Sequence, residues 1–255
     1  MSNWNEEYYD IIEFYYWEPQ HIGKKKYEDA NFNSMEEVKT HLLNMEVSLN
    51  HQFNYFFRLI PKEILNEIFQ GIDKNIASDK YNFQSTKQIN ELELDDATQP
   101  DMFFIGEENQ IGIEMKIGAK SSIEQVLKYA MLFYFNNLKS KRERKANLIF
   151  ISKGDFSNLF PEKFENIIKL KQALNIEQIP DETKKGNNDL RTHKEGILNV
   201  AKQMSISFIN YNDLNSLISK TKSQLVESKY KDSVEMLFDG LIDEINARRK
   251  ILGIE

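Results

Sequence analysis

From residues 101 to 105 and again from 110 to 117 the chain alternates apolar and polar residues with a period of two, and Gly106-Glu-Glu-Asn109 between them has the composition of a tight loop. Such a pattern is best buried as a two-stranded antiparallel hairpin within a sheet. With 106–109 as the loop, Ile105 pairs with Gln110, Phe103 falls opposite Gly112, and Asp101 falls opposite Glu114. Met102, Phe104, Ile111, Ile113, Met115 and Ile117 then share one face, the apolar set a core requires, while Asp101, Glu114 and Lys116 converge on the other. Gly112, on the charged face, is expected to leave open space there. Directly opposed residues have Cβ atoms about 4.5–5.5 Å apart, so the two carboxylates repel unless something compensates. A divalent cation would compensate, and removing either carboxylate is expected to relieve the repulsion. The plain alternative is an exposed strand face with an ordinary cross-strand ion pair.

The surrounding pattern places this hairpin in an α/β fold, a mixed central sheet flanked by helices with a helical C-terminal part. Residues 84–94 read as a further strand. Residues 122–138 read as a helix with the apolar stripe Ile123, Val126, Leu127, Ala130 and Met131, capped by Ser121 or Ser122, and 147–152 as a buried strand. Upstream, Val38, Leu42, Met45, Leu49, Phe53 and Phe56 give 35–57 helical periodicity, and a second helical piece runs from Pro61 to about Phe69. Downstream, helices are expected at 161–174, 190–204 and 213–218, the last opening on an Asp cap, with a short strand at 205–210. Residues 180–188 form a polar loop, expected to be the most mobile segment. Val234, Leu237, Phe238, Leu241, Ile242 and Ile245 mark a C-terminal helix. Trp4 to Trp17, aromatic and acidic, is expected to pack as a strand or short helix on the body or on a second subunit, which admits a homodimer. The expected parts are 1–34, an N-terminal extension, 35–155, the core, and 156–255, the mostly helical remainder.

Composition narrows the chemistry. The chain has no cysteine, which removes disulfides, thiolate metal sites and cysteine nucleophiles, and its four histidines never recur at the i, i+4 spacing of a zinc-binding pair. Oxygen and nitrogen ligands remain. The longest uncharged apolar run, 129–135, is far short of the roughly 18 residues a membrane helix needs, and the acidic N-terminus is unlike a secretory signal, so a cytoplasmic protein is expected. The net charge of −7 opposes gripping nucleic acid with the whole surface. Two basic clusters, Lys24 to Lys26 and Lys139 to Lys145, could face phosphate locally, as could Lys120 and Lys128, although such residues are usually solvated.

Pro100-Asp101 followed by Glu114-Met115-Lys116 resembles the PD-(D/E)XK nuclease superfamily, which includes many restriction and repair nucleases. Gln125-Val-Leu-Lys-Tyr129 is similar to the Gln-x-x-x-Tyr element of its exonuclease-like branch. The resemblance covers residues 35–152 and implies a restriction-endonuclease-like core. It also implies Mg²⁺ or Mn²⁺ held by Asp101, Glu114 and the Met115 carbonyl, with Lys116 orienting or activating the attacking water. The family often adds a glutamate from the first core helix, for which Glu46 is the leading candidate and Glu63 and Glu67 follow. The implied activity is hydrolysis of phosphodiester bonds, in DNA ahead of RNA, in restriction, repair or defence. An RNase and a catalytically silent relative that binds nucleic acid or protein are the alternatives. Lys116, flanked by two carboxylates, is expected to keep its proton, and a base role stays open should metal and partial burial lower its pKa. Gln125 and Tyr129, one helical turn apart, are expected to touch substrate or Lys116. Their truncation should then slow cleavage and leave metal affinity nearly unchanged.

Overall fold

The computed structural model describes Trp4, Tyr8, Leu92, Leu94 and residues 35–85, 100–183 and 189–254. The Lys24 to Lys26 cluster, most of 4–17, most of 84–94 and the core of the 180–188 loop lie outside the described residues. In chain order the elements are α1 (Met35–Asn44), α2 (Glu46–Leu59), α3 (Lys62–Ile72), β1 (Asn82–Phe83), β2 (Met102–Ile105) and β3 (Asn109–Lys116). There follow α4 (Ile123–Ser140), β4 (Lys145–Ser152), α5 (Phe156–Leu159), α6 (Ile167–Ala173), α7 (Lys194–Gln203) and β5 (Ser205–Asn210). The chain ends on α8 (Tyr211–Ser223), α9 (Lys231–Ala247) and α10 (Arg249–Leu252). Among the described residues no helix is long and apolar enough to cross a membrane.

The chain divides into two compact units, residues 1–61 with 215–255, and residues 62–214. These limits do not coincide with boundaries at 34 and 155. A parallel strand must be reached by a crossover, so the sheet cannot close before residues 153–204 have returned the chain to β5.

In the first unit the single helix expected over 35–57 is broken at Met45, which is extended at φ −84° and ψ 129°. The break leaves helix-end carbonyls without intrahelical donors. Arg248, fully buried, supplies them at the end of α1, donating to the carbonyls of Leu42 at 3.2 Å and of Leu43, and it donates also to the Met45 carbonyl at 3.0 Å and to Ser48 Oγ at 2.7 Å. Glu244, also buried, holds the same guanidinium at 2.6 Å. Trp4 lies against α9, its indole N–H donating to the Leu237 carbonyl at 3.2 Å beside Gly240.

The second unit holds the five-stranded sheet, in the order β1-β2-β3-β4-β5, antiparallel from β1 to β3 and parallel from β3 to β5. Ile105 pairs with Gln110 and Phe103 with Gly112, the register expected from the alternation. Both parallel connections run toward β5, and right-handed crossovers in one direction lie on one face. That face carries α4 and α7, whose Val126, Ala130, Phe133, Ile197 and Ala201 pack with Phe103, Leu148, Phe150 and Ile206. The other face is covered by α3, where Phe69 meets Phe104 and Tyr81 edge-on, each at 5.4 Å.

Several helix limits move from their expected places for local reasons. The helix expected at 161–174 is reduced to α6, because Lys163 takes a left-handed φ of 50° and Asn166 caps the new start, accepting from the Lys169 amide at 3.0 Å. The helix expected at 213–218 runs from Tyr211 to Ser223. Asn210 rather than Asp213 caps it, its Oδ1 accepting from the Asp213 amide at 2.8 Å. The 190–204 helix begins only at Lys194. The edge strand forms at Asn82–Phe83, ahead of the expected start at 84.

The hairpin loop is anchored by Asp79, whose carboxylate accepts from the amides of Glu107 at 2.8 Å, Glu108 at 2.9 Å and Asn109 at 2.9 Å. A Cβ on Gly106 would stand 2.3 Å from that carboxyl, so only glycine admits the approach. Burial alone would raise the Asp79 pKa, but the hydrogen bonds outweigh it and hold the group down to about 2. A depressed carboxyl stabilises the fold above its ordinary value of 3.8, and the contribution disappears as pH falls through about 2. Asp79→Ala should lower the unfolding free energy by about 2–3 kcal/mol near neutrality. In urea titrations the gap to the unsubstituted protein should close as the pH is lowered through that window.

Candidate functional site

β3 presents Gln110, Gly112, Glu114 and Lys116 to α4, one above the other. The helix answers the first three with matching residues. Gln110 is met by amides: Asn136 Nδ2 donates to its Oε1 at 2.8 Å, and its own Nε2 donates to Asn137 Oδ1 at 3.1 Å. Gly112 is met by an aromatic ring, for an added Cβ would stand 2.6 Å from Tyr129 and 3.1 Å from Phe133. The open space expected at Gly112 is therefore filled, and this face of β3 is buried beneath α4. Gly112→Ala should cost about 1–3 kcal/mol through overpacking and move Tyr129 off Glu114. Thermal unfolding reads the first effect, and the second should appear as weakened binding of any cation held by Glu114.

Glu114, 3% exposed, is the centre of the arrangement. Lys116 Nζ lies 2.6 Å from its Oε1, and Gln125 Nε2 donates to the same oxygen. Tyr129 donates to Oε2 at 2.7 Å and stands 2.9 Å from the Ile113 carbonyl. Burial, followed by the negative charges of Glu114 and Asp101, pushes the Tyr129 phenol well above its ordinary pKa, so it remains a donor at physiological pH. Both carboxylates therefore act on one hydroxyl. Asp101 sits at a bend just before β2, half-buried, and its Oδ2 accepts from the Met115 amide at 2.7 Å.

α4 is aimed by its N-terminus, where Ser122 Oγ accepts from the Gln125 amide at 3.2 Å. The neighbouring Ser121 does something different. It is buried, its amide is bonded to the Leu159 carbonyl at 2.8 Å, and its Oγ donates to Gln125 Oε1 at 3.1 Å. That bond leaves the donor end of the Gln125 amide toward Glu114. Sequence reasoning finds only a cap in Ser121, and the small polar pair before the helix is the available signal.

Gln125 and Tyr129 differ in place from the substrate contact expected of them. Tyr129 is fully buried, and both side chains end on Glu114. The helix is turned so that Gln125, Tyr129, Phe133 and Asn136 meet β3. Ile123, Leu127 and Met131 of the apolar stripe line a cavity of about 400 Å³ with Ile179, Pro180 and Leu190. Glu46 opens α2 in the first unit, and Glu63 and Glu67 are exposed on α3, which covers the sheet face opposite Glu114. Among the described residues no three His, Asp or Glu side chains gather as a metal cluster. The 139–145 basic run lies at the far end of the strands, since Lys145 pairs with Asn109 whereas Glu114 pairs with Phe150, roughly 17 Å along β4. There Arg144 donates to the Gly106 carbonyl at 2.9 Å, and Lys141 closes α4. Lys128 is ion-paired with Glu124 at 2.7 Å.

Comparison with family models, curated proteins and solved structures finds no match for this chain. The site must be judged on its own chemistry. Its side-chain donors are hard oxygens, which suit Mg²⁺ or Mn²⁺, and a cation, the Lys116 ammonium, already stands against Glu114. Two carboxylates are a sufficient protein contribution for Mg²⁺, which ordinarily keeps several waters. The residues present fit such an ion.

Proposed function

We propose that residues 62–214 form a restriction-endonuclease-like core that hydrolyses phosphodiester bonds with Mg²⁺ or Mn²⁺, in DNA ahead of RNA. The observation that carries this reading is the convergence on one strand end: Glu114 and Lys116 are ion-paired, and the Asp101 carboxylate is bonded to the amide of the residue between them. Asp101, Glu114 and the Met115 carbonyl would hold the ion. A divalent cation supplies Lewis-acid stabilisation of the phosphoryl group and activates the attacking water. Lys116 positions that water and offsets charge on the phosphate in the transition state. Gln125 and Tyr129 are positioning residues that fix Glu114. Substrate approaches past Asp101 and Lys116, the half-buried members of the set, because Glu114 itself is covered by α4.

A catalytically silent, nuclease-like binding module is favoured by one observation, the engagement of both Glu114 oxygens by protein donors. Cleavage separates the two readings. Linear, circular and single-stranded DNA, and RNA, incubated with the purified protein and Mg²⁺, Mn²⁺ or EDTA, should yield metal-dependent products with at least one DNA form. Intact substrates throughout would favour the silent module, and products from RNA alone would reassign the substrate.

A further inference from the structure

Two carboxylates and one ammonium meet at the end of β3, and the ammonium stands where a cation bound to Glu114 would stand. We propose that Lys116 is the tethered counter-cation of the metal-free site, and that a divalent ion gains Glu114 Oε1 by displacing it. The inference rests on the metal-site reading above and adds an exchange to it. Three features support the exchange. The Lys116 side chain is 13% exposed against 4% for Glu114, so the lysine has a route to solvent that the carboxylate lacks. Glu114 keeps its place when Lys116 leaves, because Gln125 and Tyr129 hold it from α4 and Ser121 holds Gln125. Electrostatics opposes joint occupancy, since an ammonium and a divalent ion on one carboxylate oxygen repel strongly at low local dielectric. The consequence is a lysine that offsets one of the two carboxylate charges and is released toward the reacting phosphate when the ion arrives. Metal affinity is then set partly by the strength of the ion pair it must break.

The test is Mn²⁺ binding by isothermal titration calorimetry to the full-length protein and its Lys116→Met and Lys116→Arg variants, independent of any cleavage. Removal of the competing charge should tighten Mn²⁺ binding at least tenfold in Lys116→Met, while Lys116→Arg should stay near the unsubstituted value. Equal or weaker binding by a folded Lys116→Met variant would overturn the exchange and leave the metal-site reading standing. No Mn²⁺ binding by any of the three would overturn both. Should Lys116→Met fail to fold, ¹⁵N-lysine labelling of the unsubstituted protein gives a second reading. The Lys116 Nζ resonance should move on addition of Mg²⁺, and an unmoved resonance at saturating metal would contradict the exchange.

Discussion

Glu114→Gln should abolish metal-dependent cleavage and also lower the unfolding free energy by about 2–4 kcal/mol, whereas Asp101→Asn should abolish cleavage at close to unsubstituted stability. The asymmetry follows from what each carboxylate touches. Glu114 is buried and accepts from Lys116, Gln125 and Tyr129. Removing one partner of a buried ion pair costs about 3–5 kcal/mol, and the access of Lys116 to solvent trims that figure. A glutamine there would also turn one amide N–H₂ toward groups that are themselves donors. Asp101 accepts from the Met115 amide, a bond that an asparagine oxygen can also make, so that bond should survive the loss of charge. Relief of repulsion, expected from the hairpin register for both positions, is therefore not expected for Glu114. Urea unfolding of the two variants beside cleavage assays reads both effects. A Glu114→Gln protein as stable as the unsubstituted one would mean that the contacts from α4 and Lys116 contribute little.

Gln125→Ala and Tyr129→Phe should each weaken Mn²⁺ binding and slow cleavage by about 10–100-fold, the usual consequence of removing a hydrogen-bond partner of a metal ligand. This replaces the sequence-based expectation that metal affinity would hardly change. Each donor restrains a different oxygen: the Gln125 amide acts on Oε1 and the Tyr129 hydroxyl on Oε2, so losing either lets the carboxylate rotate. Tyr129→Phe keeps the ring against Gly112, which confines the change to the hydroxyl. Calorimetric titration with Mn²⁺ decides the matter. Unsubstituted affinity together with slowed cleavage would return these side chains to direct substrate contact and contradict the geometry of α4.

The hairpin was legible because period-two alternation and a loop beginning at Gly106 leave one register that keeps the apolar residues together, and that register is observed. The α4 start was legible because a serine immediately precedes its periodic apolar residues, and Ser122 caps it. The covering of the Glu114 face was not, since alternation with Gln110, Glu114 and Lys116 reads as a wet surface. It is dry because α4 supplies partners for Gln110, Gly112 and Glu114 in turn, and periodicity alone cannot say which edge of a helix meets a sheet. Long-range polar contacts were equally invisible. Arg248 sets the break at Met45 from two hundred positions away, and Asp79 organises the hairpin loop from thirty positions upstream. The 139–145 run is largely exposed, as such runs usually are, and its residues finish α4, bond the hairpin loop and begin β4.

In the proposed metal-dependent hydrolytic site of Asp101, Glu114 and Lys116, Asp101→Asn removes one carboxylate charge and keeps an acceptor for the Met115 amide. The most direct measurement is cleavage of end-labelled DNA by the unsubstituted protein and by Asp101→Asn, side by side, in Mg²⁺ and in EDTA. Products are expected only from the unsubstituted protein and only with Mg²⁺. Cleavage that survives in Asp101→Asn or in EDTA, or its absence from every lane, would contradict a metal-dependent hydrolytic site at these residues.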